Sequence, residues 1–292
     1  MTDAQIILGM PFEEYLAVEA VNFSTLKHID VSPLHYRDAL DNGVADKPDF
    51  ALGRAAHTAI LEPEKWGERY MLKPEYAERD GKRVQLRRDD RMPEWRALVE
   101  KAEAEGRTIL TDEEWITASR VANRVHSDPV ASLRFKGDVD TEVTVLWTHP
   151  GTGLRIKSRL DVVNRSMRVL CDPKTVAFID PPRMWSHFER LLYLAQFAMY
   201  QDAWRVATGD VWPFEAIAIE KTRPYDVAVC PVPQPHLDYG RSLYETWLDE
   251  LARCLESQQW PGVARGEVLP FERPGSAQFG DDAEILAESE TA

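Results

Sequence analysis

Three cysteines in 292 residues, Cys171, Cys230 and Cys254, are too few and too far apart for a disulfide framework or a CxxC zinc site. They fit a reduced compartment, and a cytoplasmic protein is expected. They also leave no set of four thiolates for an iron–sulfur cluster. No run of about eighteen apolar residues occurs, so no transmembrane helix is expected. The opening MTDAQIILGMPFEEY lacks the basic start and small-residue cleavage site of a signal peptide. Excess positive charge is missing too: 35 Lys and Arg stand against 49 Asp and Glu, a formal net charge of −14. Non-specific nucleic-acid binding is carried by Lys and Arg neutralising phosphates, so tight binding by a monomer is disfavoured. The basic residues are nonetheless grouped, at Lys82, Arg83, Arg87, Arg88 and Arg91 and again at Arg155, Lys157 and Arg159. An acidic exterior around a basic channel would reconcile the two. The chain shows neither an internal repeat nor a low-complexity tract.

Hydrophobic residues make up 44% of the chain, an ordinary share for a globular fold. The densest chemistry lies between Leu154 and Tyr200. From Leu154 to Val162 the even positions Leu154, Ile156, Leu160 and Val162 are apolar, and the odd positions Arg155, Lys157, Arg159 and Asp161 are charged. Period two marks a half-buried strand with one chemically loaded face. Asn164, Arg165 and Ser166 make a turn, and Met167 to Lys174 reads as the returning strand. On it Asp172 and Lys174 share a face, while Val169, Cys171 and Pro173 take the other. Two carboxylates meeting at neighbouring strand ends suit a hard cation such as magnesium, which takes oxygen ligands. A bound cation favours a water-derived nucleophile and steadies charge on a phosphoryl oxygen. An ammonium two residues along can orient that water. Taken alone, the Asp-Pro-Lys triplet is a weak signal that reads first as a surface turn, a reading Pro supports.

Met184 to Val206 is apolar on nearly every side and predicts one long buried helix. Gln196 and Tyr200 stand in its middle, four apart and on one face. A buried Gln needs partners. It caps a nearby backbone group with Tyr200 as core, or both side chains point into the carboxylate site.

Elsewhere the chain predicts helices from Ser24 as N-cap through Ile29, and from Ser32-Pro33 to about Asn42. Phe50 to Leu61, Glu94 to Glu105 and a helix opened by the Thr111–Glu114 capping box follow. Trp66 to Met92 is charge-dense and without period, a solvated loop or a segment that orders on nucleic acid. Strands are expected at Thr141 to Trp147, Phe214 to Lys221 and Tyr225 to Cys230. An amphipathic helix at Asp238 to Gln258 presents Leu243, Trp247, Leu251 and Leu255. Residues 1–22 read as a lead-in, 23–274 as one domain, and 275–292 as an acidic, disordered tail.

The order Asp161, then Asp172-Pro173-Lys174, then Gln196-x-x-x-Tyr200 resembles the PD-(D/E)XK nuclease superfamily in its RecB-like branch. The chain is similar to RecE-type exonuclease domains, exodeoxyribonuclease VIII and its phage relatives. Ser24-Thr25-Leu26 with Ser32-Pro33, Gly53 to His57 with Leu61-Glu62-Pro63, and Lys157-Ser158-Arg159-Leu160-Asp161 match that group's further motifs in order. The resemblance implies an α/β fold, a central mixed sheet flanked by helices with an N-terminal helical lobe. It implies Asp161 and Asp172 as metal ligands, Lys174 as the catalytic lysine, and His57 as a further ligand or phosphate contact. Glu142 matches the acidic residue opening the preceding strand, and Gln196 and Tyr200 the supporting helical pair. The implied activity is a Mg2+-dependent (Mn2+ substituting) 5′-to-3′ exonuclease acting at double-stranded DNA ends. It would leave 3′ strands for an annealing protein in a phage or prophage setting, as a ring oligomer without a membrane role. A related endonuclease, or an inactive recombination accessory protein, is the alternative. Leu160 stands where the superfamily's name has Pro, and Pro173 where a β-former is usual. Pro keeps its carbonyl as a ligand but loses its N–H, so a distorted or edge strand is expected there.

Overall fold

The computed structural model describes residues 4–43 and 48–269; the expected acidic tail lies outside them. In chain order its elements are β1 (Gln5–Ile7), α1 (Phe12–Ala17), α2 (Phe23–Leu26), α3 (Pro33–Asn42), α4 (Pro48–Leu61), α5 (Trp66–Arg69), β2 (Tyr70–Leu72), β3 (Tyr76–Arg79) and β4 (Lys82–Gln85). Then come α6 (Pro93–Ala104), β5 (Thr108–Leu110), α7 (Asp112–Ser127), β6 (Val139–Thr148), β7 (Arg155–Asn164) and β8 (Val169–Val176). The last are α8 (Pro181–Arg190), α9 (Tyr193–Thr208), β9 (Phe214–Glu220), β10 (Val227–Pro231) and α10 (Gln234–Ser257). Local signals explain several boundaries. The Ser32 hydroxyl accepts the His35 N–H at the start of α3, with Pro33 in the first turn. Thr111 and Glu114 satisfy each other's backbone N–H at the start of α7. Such caps each contribute about 1 kcal/mol. At α2 the cap is Asn22, whose Oδ1 accepts the Thr25 N–H at 2.9 Å, rather than the expected Ser24.

The main sheet runs β1-β6-β7-β8-β9-β10, antiparallel except for the parallel β8–β9 pair. It is therefore a mixed sheet with helices on both faces. Against one face pack α9 and α10, with Leu170, Ala216 and Ala218 beneath them. Against the other pack α4 and α7, over Val169, Cys171, Ile217 and Ile219. Full burial of one such large apolar side chain contributes about 1.5–3 kcal/mol. Gly240 lets α10 touch α9 backbone to backbone: a Cβ there would stand 2.1 Å from the Leu194 carbonyl oxygen. Asp202, buried in α9, ties the same two helices by accepting from Tyr244 Oη at 2.5 Å and Arg241 Nε at 2.6 Å.

Four further expectations change. The long helix is two, α8 and α9, broken at Leu191–Leu192 by Leu192 at φ 60°. The loop at Trp66 to Met92 holds α5, β2 and the β3–β4 hairpin. Leu255 is 42% exposed, and the buried face of α10 runs through Leu237, Gly240, Tyr244, Trp247, Leu248 and Leu251. The lead-in is built into the sheet: β1 pairs with β6, and Val21 forms a parallel bridge to Ile156.

Candidate active site

The site lies where two neighbouring strands part. β7 and β8 pair at Asn164↔Val169, Val163↔Leu170 and Val162↔Cys171, and the ladder stops there, one residue short of Asp161 and Asp172. Below that point β7 takes Val21 as its neighbour, through Val21 N–H to Arg155 O and Lys157 N–H to Val21 O. β8 continues along β9 to Val176↔Glu220. A gap through the sheet results, with α4 on one side and α9 on the other.

Strand alternation also breaks at this point. Leu160 packs into the α9 core, but Val162, which simple alternation would place beside it, packs into the α4 core. On β6, Val143 and Val139 divide the same way. Between them Glu142 stands at φ 56°, in register with Asp161 by the flanking pairs Thr141↔Val162 and Val143↔Leu160. A non-glycine residue held in the left-handed region within a strand costs about 1–3 kcal/mol, and such strain clusters at functional sites. Here it turns the Glu142 carboxylate toward α4.

His57, on the inner face of α4, meets both acids. Its Nε2 lies 2.9 Å from Asp161 Oδ2 and its Nδ1 3.2 Å from Glu142 Oε1. These three residues offer ligand atoms all within 4.8 Å of one another. The other Glu142 oxygen is bound by Arg159 Nε, and Arg159 also donates to Met10 O at 3.0 Å. Asp172 is fully buried beside them, with Oδ1 2.7 Å from Lys174 Nζ. The contact is ionic but poorly angled, so neither Asp172 oxygen has a well-formed hydrogen bond.

Burial lowers the tendency of His57 to hold a proton, but Asp161, Glu142 and Asp172 outweigh it and raise its pKa to about 9. Burial and the neighbouring Asp161 push Asp172 up, while Asp161 is held down, against its own burial, by His57 and Lys174. Burial works against the Lys174 charge too, yet the two aspartates raise it to about 12. Asp172 is thus kept from ionising freely by its burial and by the charge of Asp161, while Arg159 is engaged by Glu142. An imidazole, carboxylates, and a buried carboxyl with unsatisfied oxygens form a donor set that fits a divalent metal.

Pro173 sits where β8 has lost β7 as a neighbour, so the expected edge is found, but without distortion: Asp172↔Ala216, Pro173↔Ile217 and Lys174↔Ala218 pair with β9 without interruption. Leu170 N–H and Val176 C=O both bond toward β9, so even residues of β8 point that way. Position 173 therefore turns its backbone toward the vacated β7 side. The missing N–H breaks no ladder bond, and the carbonyl faces the gap.

Gln196 is half-buried and donates from Nε2 to Tyr200 Oη at 3.1 Å, instead of capping a backbone group. Burial pushes the Tyr200 hydroxyl pKa well up, and Tyr15, Asp161 and Asp172 nearby add to this. Two of the three cations expected to line a channel are spent internally. Lys157 Nζ, buried, donates to the carbonyls of Tyr15, Leu16 and Val18 at 2.9 Å each, closing the C-terminus of α1. Arg159 serves Glu142. Two residues not expected at the site stand beside Lys174: the Tyr193 ring, 4.7 Å from Nζ, and Lys27, whose pKa is lowered by burial and then by the charge of Lys174. Tyr193 lies one turn before Phe197 and three before Gln196, a spacing that could have found it; Lys27 has no local signal.

A family model described as a PDDEXK-like domain of unknown function (DUF3799) matches residues 22–267. Among solved structures, the chain is similar to a "Putative exonuclease" from Eubacterium rectale, with a TM-score of 0.59 at 14% identity, covering 91% of this chain and 97% of that one. At this identity the likeness shows the fold. A likeness to SSO0001 has a TM-score of 0.28 at 16% identity over 43% of this chain and 55% of that one, and carries no argument. No curated protein matches.

Proposed function

With the chain belonging to the DUF3799 family of PDDEXK-like domains, and so having a nuclease fold, we propose that it is a metal-dependent deoxyribonuclease acting as a 5′-to-3′ exonuclease on linear double-stranded DNA. The observation that carries this is the meeting of His57, Glu142 and Asp161 with the Asp172–Lys174 pair at the parting of β7 and β8. His57, Glu142, Asp161 and Asp172, with the Pro173 carbonyl, would hold the metal, Mg2+ or Mn2+. When bound, the ion supplies an acidified water and neutralises phosphate charge. Lys174 orients that water and steadies the phosphoryl oxygen. Tyr200 and Gln196 hold the α9 side of the gap against the acids, and Arg159 fixes the Glu142 carboxylate. The backbone direction at Pro173 removes the main reason to read the site as inactive. The finer reading rests on the ordered motifs of the sequence: 3′ strands left for an annealing partner, a ring assembly, a phage or prophage setting, and a cytoplasmic location. Among the described residues no helix is long and apolar enough to cross a membrane.

The test is linear and closed-circular duplex DNA with and without Mg2+, beside Lys174→Ala. Metal-dependent loss of the linear form alone, lowered at least about a hundredfold in the variant, is expected. Cutting of the circle would replace the exonuclease with an endonuclease. Inertness of the folded, metal-loaded protein on both would refute the nuclease.

A further inference from the structure

A second feature adjoins the gap. After β8 the chain crosses Ala177 to Asp180 and enters α8, leaving a groove of about 510 Å³ lined by Phe178, Arg183, Ser186, His187 and Arg190 among others. Phe178 is 53% exposed, an unusual placement for a Phe, with the Arg183 guanidinium 4.8 Å from its ring centroid. The His187 ring packs on Tyr193 at 6.2 Å, and Tyr193 in turn lies under Lys174 Nζ. The groove is therefore one aromatic ring away from the catalytic lysine.

Its charge runs against that of the chain. Arg190 Nη2 lies 3.3 Å from His187 Nδ1. Lys221 sits beside the end of β8, its N–H bonded to Val176 O. Among the described residues neither Arg190 nor Lys221 forms an ion pair. Two neighbouring carboxylates are engaged: Asp180 caps α8 and pairs with Arg183 at 3.2 Å, and Glu220 accepts the Ile179 N–H; no carboxylate among the described residues lines the groove itself. His187 is held below the usual range by burial first and then by Arg190 and Lys221. Unanswered cations beside an exposed aromatic face are what a single-stranded nucleic acid requires, phosphates on the former and a base on the latter.

We propose that this groove holds a single DNA strand next to the catalytic gap, with a base stacked on Phe178 and phosphates on Arg190 and Lys221. The proposal rests on the nuclease reading for the identity of its ligand, and it names the path by which one strand of the substrate reaches or leaves the site. Within a duplex each base is already stacked on its neighbours, so an unpaired strand offers its bases to Phe178 most readily.

The test is fluorescence anisotropy with a labelled short oligothymidylate and a duplex of equal length, in EDTA so that nothing is cut. The variants are Phe178→Ala, the double Arg190→Ala/Lys221→Ala, and Lys101→Ala on α6 as a charge control. Phe178→Ala should weaken single-strand binding about tenfold and leave duplex binding nearly unchanged. The double variant should lower the slope of log affinity against log salt by about 1.4. Unchanged single-strand affinity in both, equal losses for single strand and duplex, or an equal loss in Lys101→Ala would overturn the proposal. Cleavage of linear DNA, measured separately with Mg2+, keeps the two readings apart. An inert protein whose groove variants lose the oligonucleotide would sink the nuclease alone. An active nuclease with unchanged groove variants would sink the groove alone.

Discussion

Replacing Asp172 by Asn should make the metal-free protein more stable while abolishing its cleavage. The carboxyl is fully buried, has no well-angled hydrogen bond, and lies beside Asp161, so its pKa is raised on folding. A raised carboxyl means that the folded state binds more protons than the unfolded chain. Stability is then lost as pH rises above the unfolded value of about 4, until the folded carboxyl itself ionises. Every tenfold weakening of the acid on folding corresponds to about 1.4 kcal/mol. Asn keeps an acceptor for Lys174, and Asp161 still faces that ammonium, so little of the gain is returned. We expect a net stabilisation of about 1–3 kcal/mol near neutral pH, vanishing toward pH 4. Urea unfolding in EDTA at about pH 5 and about pH 8 measures it. Adding Mn2+ should reverse the order, since a ligand at a hundred times its Kd stabilises the wild type by about 2.7 kcal/mol. An Asp172→Asn protein less stable than wild type in EDTA, or a difference equal at both pH values, would refute the electrostatic account.

Three further outcomes follow from the geometry. Gly240→Ala should destabilise by about 1–3 kcal/mol or more in thermal unfolding, because the contact with Leu194 outweighs the ~1 kcal/mol that helix propensity alone would return; a stabilised variant would mean that α9 and α10 lie farther apart. Metal binding should release protons near neutral pH, since His57, raised to about 9 and so protonated below that value, must lose its proton to ligate. Calorimetry in two buffers of different ionisation enthalpy reads this directly, and identical heats would exclude His57 as a ligand. Lys157→Met should cost about 1–3 kcal/mol by leaving the buried Tyr15 carbonyl and the part-buried Leu16 and Val18 carbonyls without their donor, with the salt dependence of DNA binding unchanged. A reduced salt slope would instead return Lys157 to the DNA channel.

The parts of this fold that are legible in the sequence are those set by neighbours along the chain. Ser32-Pro33 and the Thr111–Glu114 box mark helix starts because their partners lie within one turn. The β6 to β9 strands show because apolar and β-branched residues recur along them, although β7 is buried on both faces rather than on the one that its alternation predicts. Asp80-Gly81 is a local signal of the β3–β4 hairpin inside the charge-dense stretch: both residues have positive φ, 52° and 74°, as a two-residue hairpin turn requires. The break at Leu192 carries no Gly or Pro, and only packing of α8 and α9 against the sheet decides it. Asp161, Asp172, Lys174 and His57 can be singled out by residue type and order. The face change at Glu142 cannot, since it arises from a left-handed backbone imposed by tertiary structure. Lys157 and Arg159 look like surface cations because a sequence does not reveal which carbonyls end near a lysine.

The bridge between Val21 and Ile156 has a consequence for how the chain can be shortened. A polypeptide starting at Phe23 would contain every residue placed at the gap. It would nonetheless present the lower half of β7 with free N–H and C=O groups, and remove the three carbonyls that accept from the Lys157 ammonium. An open strand edge beside an acidic gap invites the wrong neighbour, a strand of another molecule. Residues 4–22 thus cover that edge, and their carbonyls hold Lys157 and Arg159, on the strand that carries Asp161, in place.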